Sequence, residues 1–88
     1  MRAKYYIKKP IPIRAMQYTG DNKEEIFNFT RGQVFFVDRN GRTDLVIHTL
    51  EGDMIAVPGY YIVMGLHDEP YPVRQDIFEE TYEEVAHD

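Results

Sequence analysis

Hydrophobic positions come in short runs closed by glycine, proline or Asn-Gly, and the spacing of these breaks predicts strands rather than long helices. Tyr5 to Tyr18 reads as one or two extended pieces broken by Pro10 and Pro12. Proline cannot donate to a ladder, so the first piece is expected at a sheet edge, where its lysines also discourage unwanted pairing. Gly20 ends this stretch, and Asp21 with Glu24 forms a D-x-x-E capping box that predicts a helix over about 22–31. Ile26, Phe27 and Phe29 would form its buried stripe, and Gly32 would stop it.

Gln33 to Val37 is a nearly continuous apolar run, followed by Asn40-Gly41, the dipeptide favoured in type I′ hairpins. The chain should then return through Thr43 to Leu50, turn at Glu51-Gly52 into Asp53 to Val57, and turn again at Pro58-Gly59 into Tyr60 to Met64. Pro58 fixes φ at i+1 and Gly59 supplies positive φ at i+2, as a type II turn requires. Such close turns predict sequential antiparallel pairing in a four-stranded meander.

An irregular stretch from Gly65 to Pro72 leads into Val73-Arg74. Asp76 and Glu79 repeat the D-x-x-E box, so a helical turn is expected near Ile77, with Ile77, Phe78 and Tyr82 facing the core. Residues 81–86 fit a helix or a closing strand; the favoured reading is a turn followed by an extended segment beside the N-terminus. The pattern predicts an α+β, β-rich fold in a single domain over residues 1–88. It would be a small antiparallel meander or partly closed barrel of about five to six strands, with one short N-terminal helix and a C-terminal helical turn.

Composition supports the β reading, because seven Tyr and five Phe dominate an 88-residue chain that is 43% hydrophobic. No apolar run approaches the roughly 20 residues of a membrane span, and MRAKYYIKKP lacks the apolar middle of a secretory signal, so a soluble cytoplasmic protein is expected. Cysteine and serine are both absent, which removes disulfides, thiolate metal sites and the commonest covalent nucleophiles. His48, His67 and His87 lack ligand spacing, and His67-Asp68-Glu69 reads as an exposed polar turn rather than a metal site. An enzyme would need carboxylates such as Glu51 and Asp53 working with His48, residues that hairpin geometry already explains.

Charge is lopsided. Of ten basic residues only Arg74 follows Asp44, whereas ten of fifteen acidic residues do. Basic residues spread over several segments, without a recognised motif, predict no nucleic-acid surface. Either Arg2, Lys4, Lys8 and Lys9 lie beside Glu79, Glu80, Glu83 and Glu84, or the acidic end faces a basic partner.

Three phrases, KKPIPIRAMQYTGDN, TLEGDM-x-A-x-PG-x-YIV and YPV-x-x-DIFEETYE, resemble a family of small tailed-phage and prophage proteins named for a PGDYG-type motif. The resemblance covers about two thirds of the chain and leaves out Glu25 to Asp44. The chain departs from that pattern at Tyr60, where the family has Asp, at Tyr18 for Trp, and at Val73-Arg74-Gln75 for Cys-Lys-Pro. The resemblance implies a phage-encoded accessory protein in the cytoplasm of the bacterial host, with no established enzymatic activity and no catalytic residues to carry over.

A protein-binding module is therefore the leading expectation, its partner a host or phage protein, for example a host enzyme or anti-phage defence component that it inhibits. Self-association as a homo-oligomer stays open, and no membrane partner is expected. The alternatives are a structural phage protein or a small-ligand binder for a nucleotide signal, with Tyr18, Tyr61, Tyr71 and Arg74 around an anion. Adjacent strand residues point to opposite faces, so at least one of Tyr60 and Tyr61 should leave the core. The candidate binding residues are Tyr60, Tyr61, His67, Asp68, Glu69, Tyr71, Arg74, Glu79, Glu80 and Glu83. No catalytic residue, metal or cofactor is expected.

Overall fold

A computed structural model describes residues 2–85. Its elements run in the order β1 (Arg14–Gln17), α1 (Lys23–Phe29), β2 (Val34–Arg39), β3 (Arg42–Thr49), β4 (Gly52–Ala56), β5 (Tyr61–Met64), β6 (Pro70–Val73) and α2 (Gln75–Thr81). The six strands form two three-stranded antiparallel sheets, β2-β3-β4 and β1-β5-β6. They do not close into a barrel; α1 covers part of the 22–31 helix expected, and α2 is a seven-residue helix where a single helical turn was expected.

Local turn chemistry builds the first sheet. Asn40 and Gly41 both take positive φ, 50° and 80°, and bring Arg39 opposite Arg42 as a type I′ hairpin requires. Thr49 pairs with Gly52, so the next turn is made by Leu50 and Glu51, one residue earlier than Glu51-Gly52. Along β3 the period-two alternation sends Leu45 and Ile47 into the core, and Asp44 and Val46 to the other face.

The expected four-stranded meander stops at three strands. Pro58-Gly59 does form the turn, with Gly59 at φ 105° and the Tyr60 N–H donating to Val57 O at 3.1 Å. Yet β5 does not pair back with β4; it pairs with β1 and β6. Two backbone bonds hold the crossing: Gly59 N–H donates to Tyr18 O (2.7 Å), and Tyr18 N–H donates to Tyr60 O (2.8 Å).

Tyr18, Ile26, Val34, Leu45, Ile47, Ala56 and Ile62 form the buried core, with Met16, Phe36 and Tyr60 packed against it. Burying an aromatic hydroxyl needs a partner, and Tyr18 donates to Thr43 O at 2.7 Å. Of the helix stripe expected on α1 only Ile26 is buried; Phe27 is exposed and Phe29 half-buried, because a seven-residue helix presents one full turn to the core. The helix ends as the C-terminal motif of paired back-bonds demands: Gly32 N–H reaches Phe27 O (2.8 Å) and Arg31 N–H reaches Asn28 O (3.1 Å).

Neither capping box forms. Asn22, not Asp21, precedes α1, and its side chain is engaged behind the helix, accepting from Thr19 N–H and donating to Gln17 O. Arg74 precedes α2, and Asp76 lies inside its first turn. The first extended piece also differs: ordered strand begins only at Arg14, and residues 2–13 pair with no strand. Beyond Thr81 the chain turns extended at Tyr82 (φ −125°, ψ 151°), and residues 82–85 form no regular element; residues 86–88 of the extended segment expected lie outside the described part.

Candidate functional site

The register of β5 and β6 sets Tyr61 opposite Val73 and Val63 opposite Tyr71, so these four share the face of the second sheet turned away from Ile62 and the core. Helix α2 covers that face. Phe78 lies flat on Tyr61, with ring centroids 3.9 Å apart and planes 8° from parallel. Tyr82, one helical turn later, stacks on Phe78 at 4.8 Å. The outcome is a ladder of three rings, Tyr61, Phe78 and Tyr82, all half-buried.

Its outer end holds a cation. Lys8 Nζ donates to the Tyr82 hydroxyl and lies 4.1 Å from the ring centroid, at the hydroxyl edge of the ring and not over its face. The ammonium pulls the Tyr82 hydroxyl below the usual tyrosine range, whereas burial first, then the Tyr82 hydroxyl and Glu69, push Tyr71 up to about 12. Glu79, Glu80, Glu83 and Glu84 flank Phe78 and Tyr82 along the chain, all exposed. Among the described residues no ion pair engages any of the four, and Glu79 accepts one hydrogen bond, from Gln75 at 3.1 Å. The basic N-terminal segment thus meets the C-terminal end through Tyr82, not through the carboxylates.

The candidate residues fall in three places. Tyr61 and Tyr71 belong to the aromatic face, and Glu80 and Glu83 are exposed neighbours of Phe78 and Tyr82 in the chain. Tyr60 turns to the core side and, with Pro58, Arg74, Gln75, Asp76 and Glu79, lines a shallow pocket of about 350 Å³. His67, Asp68 and Glu69 form the β5–β6 loop, tied down by Gln33 donating to Asp68 O (2.9 Å), by an Arg31–Asp68 ion pair at 3.4 Å, and by His67 N–H donating to Glu69 (2.9 Å). Neither Tyr60 nor Tyr61 stands free of the fold, because one packs on the core and the other on α2.

Arg74 is not available as an anion clamp. Its guanidinium makes two bonds to Asp76, Nε to Oδ1 at 2.9 Å and Nη2 to Oδ2 at 2.7 Å. With Asp76 and Glu79 in its wall the pocket is acidic, and Tyr18 is fully buried, so the set named for a nucleotide does not converge. The Arg74 bonds, followed by the Ile77 N–H, hold Asp76 at about 2. A depressed pKa contributes stability that is complete above the ordinary carboxylate value near 3.9 and is lost as pH falls toward about 2. Carboxyl NMR should therefore show Asp76 titrating near 2, and Arg74→Gln should move the midpoint up toward 3.9. An unmoved midpoint would mean that Arg74 does not hold the carboxylate.

Two features escaped the sequence reading. Phe78 and Tyr82 read as core residues, and their i, i+4 spacing was the available sign of a stacked pair. Asp44 is buried on the outer face of β3, where Arg42 donates to it at 2.9 Å; the Arg42-x-Asp44 spacing on a strand was its sign. His48 and Asp53 are cross-strand partners on an open surface, joined by a side-chain contact that the hairpin register accounts for.

Comparison with family models, with curated proteins and with solved structures yields no match. Among the described residues no helix is long and apolar enough to cross a membrane.

Proposed function

We propose that this is a phage-encoded accessory protein that acts in the cytoplasm of the bacterial host as a protein-binding module, docking a basic segment of a host or phage protein on the rim of the Tyr61–Phe78–Tyr82 ladder. A host enzyme or a component of an anti-phage defence system, inhibited by the docking, is the kind of partner meant. The observation that carries this reading is Lys8: its ammonium already donates to the hydroxyl at the outer end of an aromatic ladder, next to exposed carboxylates that have no ion-pair partner among the described residues. Stability alone would not gather acidic residues here, because the C-terminal end of a helix carries partial negative charge and α2 has no basic residue in its last turn.

The test uses the immobilised protein to capture a partner from phage-infected host lysate, then compares variants with the purified partner. Changing Glu79, Glu80 and Glu83 together to Lys should abolish capture with a melting temperature within about 3 °C of the parent, since exposed charges contribute little to stability. Tyr82→Ala should weaken binding by about 2 kcal/mol, roughly 30-fold in Kd. Undiminished capture by the triple Lys variant would show that the acidic rim is not the docking surface.

A further inference from the structure

Residues 2–13 form an arm that belongs to neither sheet. Beyond the Lys8 contact it continues through Tyr5, Tyr6 and Ile7, whose exposures of 105%, 86% and 94% leave their side chains touching almost nothing. The arm enlarges the molecule: the radius of gyration is 14.4 Å, against about 12 Å for a compact domain of this length. Pro10 and Pro12 restrict the arm to extended conformations, and the Ile11 N–H closes a tight turn over Pro10 to Lys9 O at 2.8 Å. Lys8 ties the arm to Tyr82 at one point, and the side chains before it stay exposed.

A second unpartnered surface lies on the β2-β3-β4 sheet. Its face away from the core carries Phe35, Val37, Val46 and Ile55, brought side by side by the register. Val46 is buried between its neighbours, but Phe35 and Ile55 remain 38% and 44% exposed. The six residues beyond Lys8 extend about 20 Å, and three strands are on the order of 10 Å across, so one arm spans the sheet.

We propose that each arm docks on a second copy of this chain, the two arms exchanged about a twofold axis, with Tyr5, Tyr6 and Ile7 covering Phe35, Val46 and Ile55 of the other copy. Charge favours this occupant. Five of the ten basic residues (Arg2, Lys4, Lys8, Lys9 and Arg14) and none of the fifteen acidic ones lie in or at the root of the arm, so the remaining chain holds five basic against fifteen acidic residues. The receiving sheet itself carries Asp38, Asp44, Glu51 and Asp53 against Arg39 and Arg42, so a basic arm is drawn to it on a second copy. The area is also sufficient. Two tyrosines present roughly 300–500 Å², so two arms and the surfaces they cover bury on the order of 1,200–2,000 Å², the span of stable specific interfaces. Exchange of an identical element closes the assembly at two copies.

Sedimentation equilibrium of the full chain at tens of micromolar should give twice the 10.4 kDa chain mass, with dimerisation weaker at high salt. Deleting residues 2–7, or changing Ile55→Glu on the receiving face, should each yield a monomer that keeps the parent far-UV circular dichroism spectrum. Tyr6→Glu serves as a further monomerising variant if Ile55→Glu fails to fold. A photo-crosslinking amino acid at Tyr6 should join to β2–β4 of the other chain. A full-length monomer, a dimer that survives loss of the arm, or crosslinks confined to one chain would overturn the proposal.

Discussion

Leu45→Ala is expected to remove about 2–5 kcal/mol of stability, the largest loss foreseen for a single substitution in this chain. Leu45 lies on the central strand of the first sheet, fully buried, with Phe36 opposite it on β2 and Ala56 opposite it on β4. Ala56 is too small to refill the space from its side, so the cavity term adds to the lost transfer energy. A chain of this length has on the order of 4–13 kcal/mol in total, so at the low end of that range the substitution unfolds the protein. Urea denaturation followed by circular dichroism, together with a melting temperature lower by about 4–8 °C per kcal/mol, measures the loss. Ile77→Ala on α2, where the side chain is 43% exposed, should cost no more than about 1–1.5 kcal/mol. Similar losses at the two positions would mean that Leu45 is not at the centre of the core.

Features set by a few adjacent residues were legible in the sequence. Asn40-Gly41 demanded two successive positive φ values and has them; Gly32 marked the end of α1; and β3 alternates as its pattern said. Which strand each segment would choose as neighbour was less legible, because close turns suggested a meander that ends at β4. The hand of the Pro58-Gly59 turn carried the missing information. A type II turn twists against the right-handed twist of paired strands and splays them, whereas the I′ turn at Asn40-Gly41 matches it. Pro58-Gly59 therefore redirects the chain out of one sheet, and Tyr18, the residue just beyond β1, receives it in the other. The D-x-x-E boxes misled for a related reason: four positions are too few to fix where the helix starts, so α1 begins one residue late, behind an Asn22 whose side chain Thr19 and Gln17 already engage, and Arg74 takes the Asp76 carboxylate of the second box.

The candidate site was legible in its residue types and not in its assembly. Tyrosines and carboxylates at the C-terminal end were visible in composition. That Phe78 would join Tyr61 to Tyr82 in one ladder depended on α2 lying across the outer face of β5, and that in turn depended on the pairing of β5 with β1 and β6. Tyr60 and Tyr61 show the limit of the alternation argument. It put them correctly on opposite faces, but both faces of this sheet are covered, one by the core and one by a helix.

Gly59→Ala carries the other large effect, because it strikes the crossing between the sheets. At φ 105° a side chain forces the backbone into a region that L-residues avoid, at a cost of about 1–2 kcal/mol if the turn holds its geometry. If the turn relaxes instead, the Gly59 and Tyr60 N–H bonds to Tyr18 and Val57 are disturbed, and each net bond is worth about 0.5–1.5 kcal/mol. Either route lowers the melting temperature by something like 4–16 °C. Sterics are a minor part, since the new Cβ would stand 3.3 Å from Gln75 Oε1, the free end of a flexible side chain. The double variant Gly59→Ala/Gln75→Ala should therefore melt no higher than the single one. Recovery in the double variant would assign the loss to crowding against α2, and a single variant as stable as the parent would remove the type II turn and with it the reason β5 leaves β4.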